Sequence, residues 1–320
     1  MRYLITGVTG FAGSHLAEYL LSLNEEVYGT VRWRSQMNNI NKFKHKIKLV
    51  EADIRDPVSV QNAINTSEPD FICHLAAQSF VPTSWHAPAE TLTTNIIGNL
   101  NILEAMRKAK KDAVLMVAGS SEEYGIVHPN EVPIKETNEL RAASPYGVSK
   151  IAQDKLTIQY HHSYGLKTIV TRAFNHEGPR RGDVFVISNW AKQITEMENE
   201  KRKPVLYVGN LDSSRDFTDV RDVVRAYHLA LTKCKYGEVY NVCSGTLYPL
   251  QSVLDKLLKL STIKNIKVEQ DPSRLRPSDV QRLVGDCSKF RTQTGWKPEI
   301  PFDQTLRDTL DYWREGHSIK

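Results

Sequence analysis

Tyr146 and Lys150 stand four residues apart in Tyr146-Gly147-Val148-Ser149-Lys150, directly after Ser144-Pro145. On a helix, that spacing puts both side chains on one face. An ammonium group beside a phenol lowers the phenol's pKa, which fits a tyrosine to exchange a proton with a hydroxyl or carbonyl near neutral pH. A second polar cluster, Ala118-Gly119-Ser120-Ser121-Glu122-Glu123-Tyr124-Gly125, follows an apolar run of strand length. There Ser120 is a candidate hydrogen-bond donor to a reacting oxygen, and Glu122 or Glu123 is a candidate second acid/base. At least one of the two glutamates is expected to be a solvated turn residue. A third element, Gly7-Val8-Thr9-Gly10-Phe11-Ala12-Gly13, has the spacing GxxGxxG between the first strand candidate and the first helix candidate. Glycine there permits a tight turn, lets the backbone approach a pyrophosphate and lets the helix pack on the strand, while the helix N-terminus offers N–H donors.

The turn makes Gly7, Thr9, Gly10, Phe11 and Gly13 candidate contacts for a dinucleotide. The residue ending the second strand of such a unit meets the adenosine ribose, and a carboxylate there suits a free 2′-hydroxyl. This chain instead reads Gly29-Thr30-Val31-Arg32-Trp33-Arg34-Ser35. Guanidinium groups at Arg32 and Arg34 suit a 2′-phosphate, so NADP is expected ahead of NAD; solvated surface arginines are the alternative. Asp53 and Ile54, after the third strand candidate, are placed to touch the adenine ring. Leu75, Ala76 and Ala77, after the fourth, let the chain pass close to the cofactor.

These groups need a scaffold. Strand candidates at 3–6, 26–31, 47–50, 71–75, 113–118 and 168–172 alternate with helix-like stretches near 12–22, 58–66, 90–109 and 146–163. Such alternation argues for parallel strands joined by crossover helices, an α/β doubly wound sheet whose strand carboxyl ends line the ligand crevice. After about residue 175 the rhythm loosens, with Gly178, Pro179, Gly182, Pro204 and Gly209 marking shorter elements. The expected organisation is a 1–174 dinucleotide-binding domain and a smaller 175–320 α/β lobe. Segments near 216–242 and 286–315 are expected to return to the first domain.

The 320 residues allow one large domain or an ordinary domain with a smaller partner. Lys and Arg number 42 against 37 Asp and Glu, a net charge of +5 that is too modest to suggest a nucleic-acid binder. Six basic residues and no acidic one fall between Arg32 and Lys48, a local excess better suited to a phosphate-bearing small molecule. Cys73, Cys234, Cys243 and Cys287 are scattered without metal-ligand spacing, so buried free thiols are expected and a metal site is not. The apolar runs have strand length, too short for a bilayer, and the chain opens directly into a strand candidate; a cytoplasmic protein is expected.

Gly7-x-x-Gly10-x-x-Gly13, Ser120, Tyr146 and Lys150 resemble the extended short-chain dehydrogenase/reductase family, across nearly the whole chain. That likeness implies a doubly wound parallel (Rossmann) sheet with a smaller C-terminal α/β substrate-binding lobe. Gln78-Ser79-Phe80-Val81-x-x-Ser84-Trp85, the Asn175–Gly182 segment and the basic end of strand two resemble GDP-mannose 4,6-dehydratases. Arg215-Asp216-Phe217-Thr218-Asp219, Tyr240-Asn241-Val242-Cys243-Ser244-Gly245 and Gly295-Trp296-Lys297-Pro298 are at least as similar to GDP-4-keto-6-deoxymannose reductases.

In the dehydratases the resemblance implies an internal redox cycle. Tyr146, beside Lys150, removes the sugar O4 proton; Glu122 takes the C5 proton and helps expel the C6 hydroxyl. A reductase needs Ser120, Tyr146, Lys150 and fresh NAD(P)H, and leaves Glu122 without a necessary role. The carboxylate tilts the choice to the lyase. By the same resemblance Ser79, Ser120, Glu122 and Asn175 would contact the sugar nucleotide, Arg215 and Arg276 its diphosphate–ribose portion, and the chain would form a homodimer or homotetramer. A catalytically silent nucleotide sensor on the same fold is the remote alternative.

Overall fold

The computed structural model describes residues 1–109, 112–275 and 280–316. The first half alternates β1 (Arg2–Thr6), α1 (Phe11–Ser22), β2 (Glu26–Val31), β3 (Lys48–Glu51), α2 (Pro57–Ser67) and β4 (Phe71–His74). It continues through α3 (Val81–His86), α4 (Pro88–Leu92), α5 (Gly98–Ala109), β5 (Val114–Ser120), α6 (Pro145–Tyr164) and β6 (Lys167–Ala173). The second half holds β7 (Asn175–Glu177), α7 (Val186–Glu198), β8 (Val205–Val208), β9 (Ser214–Asp219), α8 (Val220–Lys233) and β10 (Glu238–Val242). It ends with β11 (Leu247–Pro249), α9 (Leu250–Leu260), β12 (Lys267–Gln270), β13 (Arg282–Leu283), α10 (Ser288–Thr294) and α11 (Phe302–Arg314).

Seven strands form one parallel sheet in the order β10-β6-β5-β4-β1-β2-β3. The chain runs outward from β1 through β2 to β3, then returns to β4 on the other side of β1. Such a reversal opens a crevice at the carboxyl ends of β1 and β4. One face of the sheet packs against α1 and α8 through Leu16, Leu20, Val223 and Tyr227. The other packs against α2, α5 and α6 through Val60, Ile64, Ile102, Leu103 and Tyr160.

All six strand candidates are present, each within two residues of its expected bounds; parallel strands buried on both faces read as continuous apolar runs. The single helix expected over 90–109 is not one helix. Pro88 starts α4, and a π-helical turn, Thr93–Ile97, separates it from α5. The π turn has a physical purpose. It directs Asn95 to accept from the Gln78 N–H (2.9 Å) and to donate to the Gln78 carbonyl (3.0 Å) and the Ser149 hydroxyl (2.9 Å). One residue thus ties the loop after β4 to the helix that carries Tyr146.

A smaller layer surrounds β9, which pairs with β7 and β13 in parallel and with β11 antiparallel, while β8 and β12 form a separate parallel pair. Helices α7, α9 and α11 close a second core around Trp190, Leu254, Leu257, Leu306 and Trp313. Within 216–242, β9 lies in this layer whereas β10 extends the large sheet beside β6. The 286–315 segment divides similarly: Phe290 and Trp296 join the core of the large sheet, but Phe302, Leu306, Leu310 and Trp313 join the smaller one.

Candidate active site

The turn after β1 is built from geometry that only glycine tolerates. Gly7 has φ +73°, and a Cβ there would lie 3.0 Å from the Ala76 Cα; a Cβ on Gly13 would lie 2.3 Å from the Gly7 carbonyl oxygen. The strand edges lock around this turn. The Thr6 hydroxyl oxygen accepts from the N–H groups of Leu75 and Ala76 (3.1 Å each), and the Thr30 hydroxyl accepts from the Gly7 N–H at 3.2 Å. Helix α1 follows Gly10, which offers no side-chain cap, and has no acidic residue in its first turn, which leaves its N–H groups and dipole open to an anion.

A cavity of about 640 Å³ runs from this turn across the carboxyl ends of the large sheet. Gly7, Thr9, Gly10, Phe11, Gly13, Arg32, Asp53, Ile54, Leu75, Ala76 and Ala77 line its first part, and Ser79, Ser120, Glu122, Tyr146, Lys150 and Asn175 line its second. Arg34 does not line it: its guanidinium rests on the exposed Trp33 ring, 4.6 Å from the centroid, and Thr30, Arg32 and Ser35 face the cavity from the end of β2. The Asp53 carboxylate is engaged by Arg55 at 2.7 Å, and that guanidinium holds it below the usual carboxylate range.

Ser144 caps α6 by accepting from the Gly147 N–H at 3.1 Å, with Pro145 in the first turn, so the helix begins where Tyr146 must face the sheet. Tyr146, Lys150, Asp154 and Thr157 then form a buried stripe at helical spacing. The Lys150 ammonium donates to the Ala118 carbonyl at 2.8 Å and lies 5.8 Å from the Tyr146 ring centroid. The expected depression of the phenol is not present in this arrangement. The ammonium meets a backbone carbonyl, and burial pushes the phenol up against a partial offset from its hydrogen bond with Ser120. Burial also lowers Lys150, to about 8.

The two glutamates after β5 part company, and neither is the solvated turn residue expected. Glu122 is half-buried and lines the cavity. Glu123 is fully buried and turned away, accepting from the Ser120 N–H at 2.8 Å and from Arg172 at 3.1 Å. Arg172, only 2% exposed, also binds Asp154 at 2.8 Å and the Tyr124 hydroxyl at 3.1 Å. The network clamps the end of β5 to α6, which holds Ser120 beside Tyr146.

Residues that the sequence does not single out as site groups, His176 and Arg181 of the Asn175–Gly182 segment and Phe185, close the far wall with Phe11. Arg181 lies with its guanidinium carbon 3.5 Å from the Phe185 centroid and 4.8 Å from that of Phe11, while Phe11 stacks on His176 at 5.8 Å. Burial lowers Arg181 and drives His176 down to about 4, which keeps that imidazole neutral at pH 7. The Arg181 Nε and the Asn175 side-chain oxygen are buried without a hydrogen-bond partner among the described residues. Orphaned donors and acceptors at a cavity wall suit a polar ligand. Tyr227 reaches the same cavity from α8.

Arg215 is outside this cavity: it donates to the carbonyls of Ser214 (3.0 Å) and Val280 (2.6 Å). Arg276 lies outside the described residues. Among the described residues no His, Cys, Asp and Glu group could hold a metal ion, and no helix is long and apolar enough to cross a membrane. All four cysteines are buried free thiols.

Known proteins resemble this chain along its whole length. A GDP-6-deoxy-D-mannose reductase of Pseudomonas aeruginosa is 34% identical over 312 residues, covering 98% of this chain and 97% of the relative. GDP-mannose 4,6 dehydratase 2 of Arabidopsis thaliana is 35% identical over 326 residues, covering 96% and 85%. The solved structure of RMD from Pseudomonas aeruginosa complexed with NADPH superimposes with a TM-score of 0.84 at 32% identity, covering 98% of this chain and 100% of that one. The model of the GDP-mannose 4,6 dehydratase family matches residues 4–309, which include the glycine-rich turn, the Ser120–Glu122 stretch and the Tyr146/Lys150 pair. The Rossmann-type sheet, the cavity at its switch point and these matches together place the chain in the GDP-mannose 4,6 dehydratase family of dehydratases and reductases.

Proposed function

We propose that the protein is a GDP-mannose 4,6-dehydratase, converting GDP-mannose to GDP-4-keto-6-deoxymannose with tightly bound NADP. The observation that carries this assignment is the position of Glu122. It lines the cavity with Ser120, Tyr146 and Lys150, whereas Glu123 is turned away into Arg172. Bound NADP would supply the hydride acceptor and donor. The Tyr146 side chain takes the proton from the sugar O4, with Ser120 holding that oxygen. Lys150 keeps a positive charge beside the phenol. Glu122 removes the C5 proton and delivers a proton to the departing C6 hydroxyl, a second acid/base function that simple carbonyl reduction does not require. In this scheme Ser79 and Asn175 contact the sugar nucleotide and Arg276 its diphosphate; Arg215, turned to the Ser214 and Val280 carbonyls, is not placed to do so.

The alternative is a reductase of the 4-keto-6-deoxy sugar. The Pseudomonas aeruginosa reductase favours it, because its alignment spans nearly all of both chains. Product analysis separates the two. Incubation with GDP-mannose and no added reductant is expected to yield the 4-keto-6-deoxy sugar, and Glu122→Gln to lower that yield about 10²- to 10⁴-fold. A strict need for a 4-keto substrate and stoichiometric NADPH would establish the reductase.

NADP is the proposed cofactor because Arg32 and Ser35 face the cavity from the end of β2 without a carboxylate between them. Arg32→Gln is expected to weaken NADP about 10- to 100-fold, the worth of a charge-assisted hydrogen bond, and to leave NAD affinity unchanged. Equal loss for both cofactors in a binding titration would contradict a 2′-phosphate contact. We further infer that residues 1–174, with returning chain from 220–242 and 286–296, form the cofactor-binding unit, that the rest of 175–320 supplies the sugar-nucleotide lobe, and that the enzyme works in the cytoplasm as a homodimer or homotetramer.

A further inference from the structure

A second cavity, of about 550 Å³, shares no lining residue with the first. It lies between the end of β9, the loop from β10 to β11 and the chain joining α10 to α11. Its charged groups are Arg291 and Lys297, both exposed, and Asp219. Asp219 is already neutralised: its carboxylate accepts from Arg221 at 2.8 Å and from the Thr305 hydroxyl at 2.8 Å. Arg291 donates only to the Ser244 carbonyl, at 3.0 Å, and the Lys297 ammonium has no partner among the described residues. Lys297 therefore faces the cavity without a counter-charge, while Arg291 lies within the field of the Asp286 carboxylate.

An independent feature points to a ligand. Thr218 lines the cavity at 3% exposure, and its hydroxyl oxygen is buried with no hydrogen-bond partner among the described residues. A buried hydroxyl left unmatched is costly unless something completes it. The remaining wall is aromatic, with the Tyr248 and Phe302 rings 4.5 Å apart. Cations at the mouth, an unmatched hydroxyl within and ring faces alongside suit a dianion attached to a compact polyhydroxylated ring.

We propose that this cavity is a second ligand site that binds a sugar phosphate monoester, with its phosphate on Arg291 and Lys297 and its ring between Thr218 and the Tyr248–Phe302 wall. The site has a route to the first cavity's neighbourhood. The Ser244 hydroxyl (2.6 Å) and the Ser244 and Gly245 N–H groups (2.9 Å each) bind the Asp216 carboxylate, next in sequence to Arg215. A ligand on Arg291, which donates to the Ser244 carbonyl, bears on that strand through the Ser244–Gly245 loop, whichever reaction the first site performs.

The test is calorimetric titration of the full chain, saturated with NADP and GDP so that the first site is occupied, using glucose 1-phosphate and inorganic phosphate as probes. Glucose 1-phosphate is expected to bind at one site and at least about tenfold tighter than inorganic phosphate. The exposed-residue double variant Arg291→Gln/Lys297→Gln should lose at least about tenfold in affinity with an unchanged melting temperature, and Thr218→Val, which keeps the side-chain shape, about three- to tenfold. Absence of binding, equal affinity for the two probes, or unchanged affinity in the double variant would overturn the proposal.

Discussion

Tyr146→Phe is expected to lower turnover about 10²- to 10⁴-fold while leaving NADP affinity within about twofold. The substitution removes one oxygen from a side chain that is 7% exposed and packed at the cavity wall, so neither the fold nor the cofactor cradle changes. The loss is large because the nearby groups cannot substitute. The Ser120 hydroxyl oxygen accepts from the Glu122 N–H at 3.2 Å, and the Lys150 ammonium donates to the Ala118 carbonyl. Burial raises the phenol, so the resting side chain is protonated at pH 7. Steady-state assay of the purified variant, with cofactor binding followed separately, reads the effect. Full activity would remove Tyr146 from the acid/base role, whereas unchanged cellular function of the variant would favour the silent nucleotide sensor.

The second large effect concerns stability. Arg172→Met is expected to cost about 3–5 kcal/mol in urea unfolding at pH 7, because it leaves Glu123 and Asp154 buried without their cation. The pH dependence has a definite sign. Burial raises Glu123, and Asp154 raises it further, while Arg172 opposes both. Without the guanidinium, the Glu123 carboxyl favours its neutral form in the fold still more, so the variant's deficit should shrink at acidic pH and widen as pH rises past neutrality. Adding Glu123→Gln and Asp154→Asn should recover most of the loss, since a neutral network no longer needs the cation. A deficit below about 1 kcal/mol in the single variant would show that the network is dispensable. Activity is expected to fall as well, because Glu123 holds the Ser120 N–H at 2.8 Å.

These two residues show where sequence reading succeeds and where it stops. Tyr146 and Lys150 were legible because one helical turn separates them and Ser144-Pro145 marks the helix start, a purely local relation. Arg172 was read only as the end of a strand candidate. Its partners lie 49 and 18 residues away, and no periodicity reports a contact between a strand end, a turn and a helix. Asn95 was invisible for a different reason: the apolar pattern of 90–109 continues through the π turn, so the break in hydrogen bonding leaves no compositional trace. Arg181, His176 and Tyr227 reach the cavity from three elements, and only the closing of the smaller layer onto the sheet gathers them.

By itself the sequence determined the parallel sheet, the glycine turn that permits φ +73° at Gly7, the basic end of β2 and the one-turn spacing of the acid/base pair, because each depends on neighbours within a few residues. Only the tertiary structure decided which of two adjacent glutamates faces the cavity, which of two arginines at the end of β2 does, and that Lys150 meets the Ala118 carbonyl ahead of the phenol. Those choices depend on burial and on partners far away in the chain. A charge taken from water must find an opposite charge or a hydrogen bond, and where that partner lies is a property of the folded sheet.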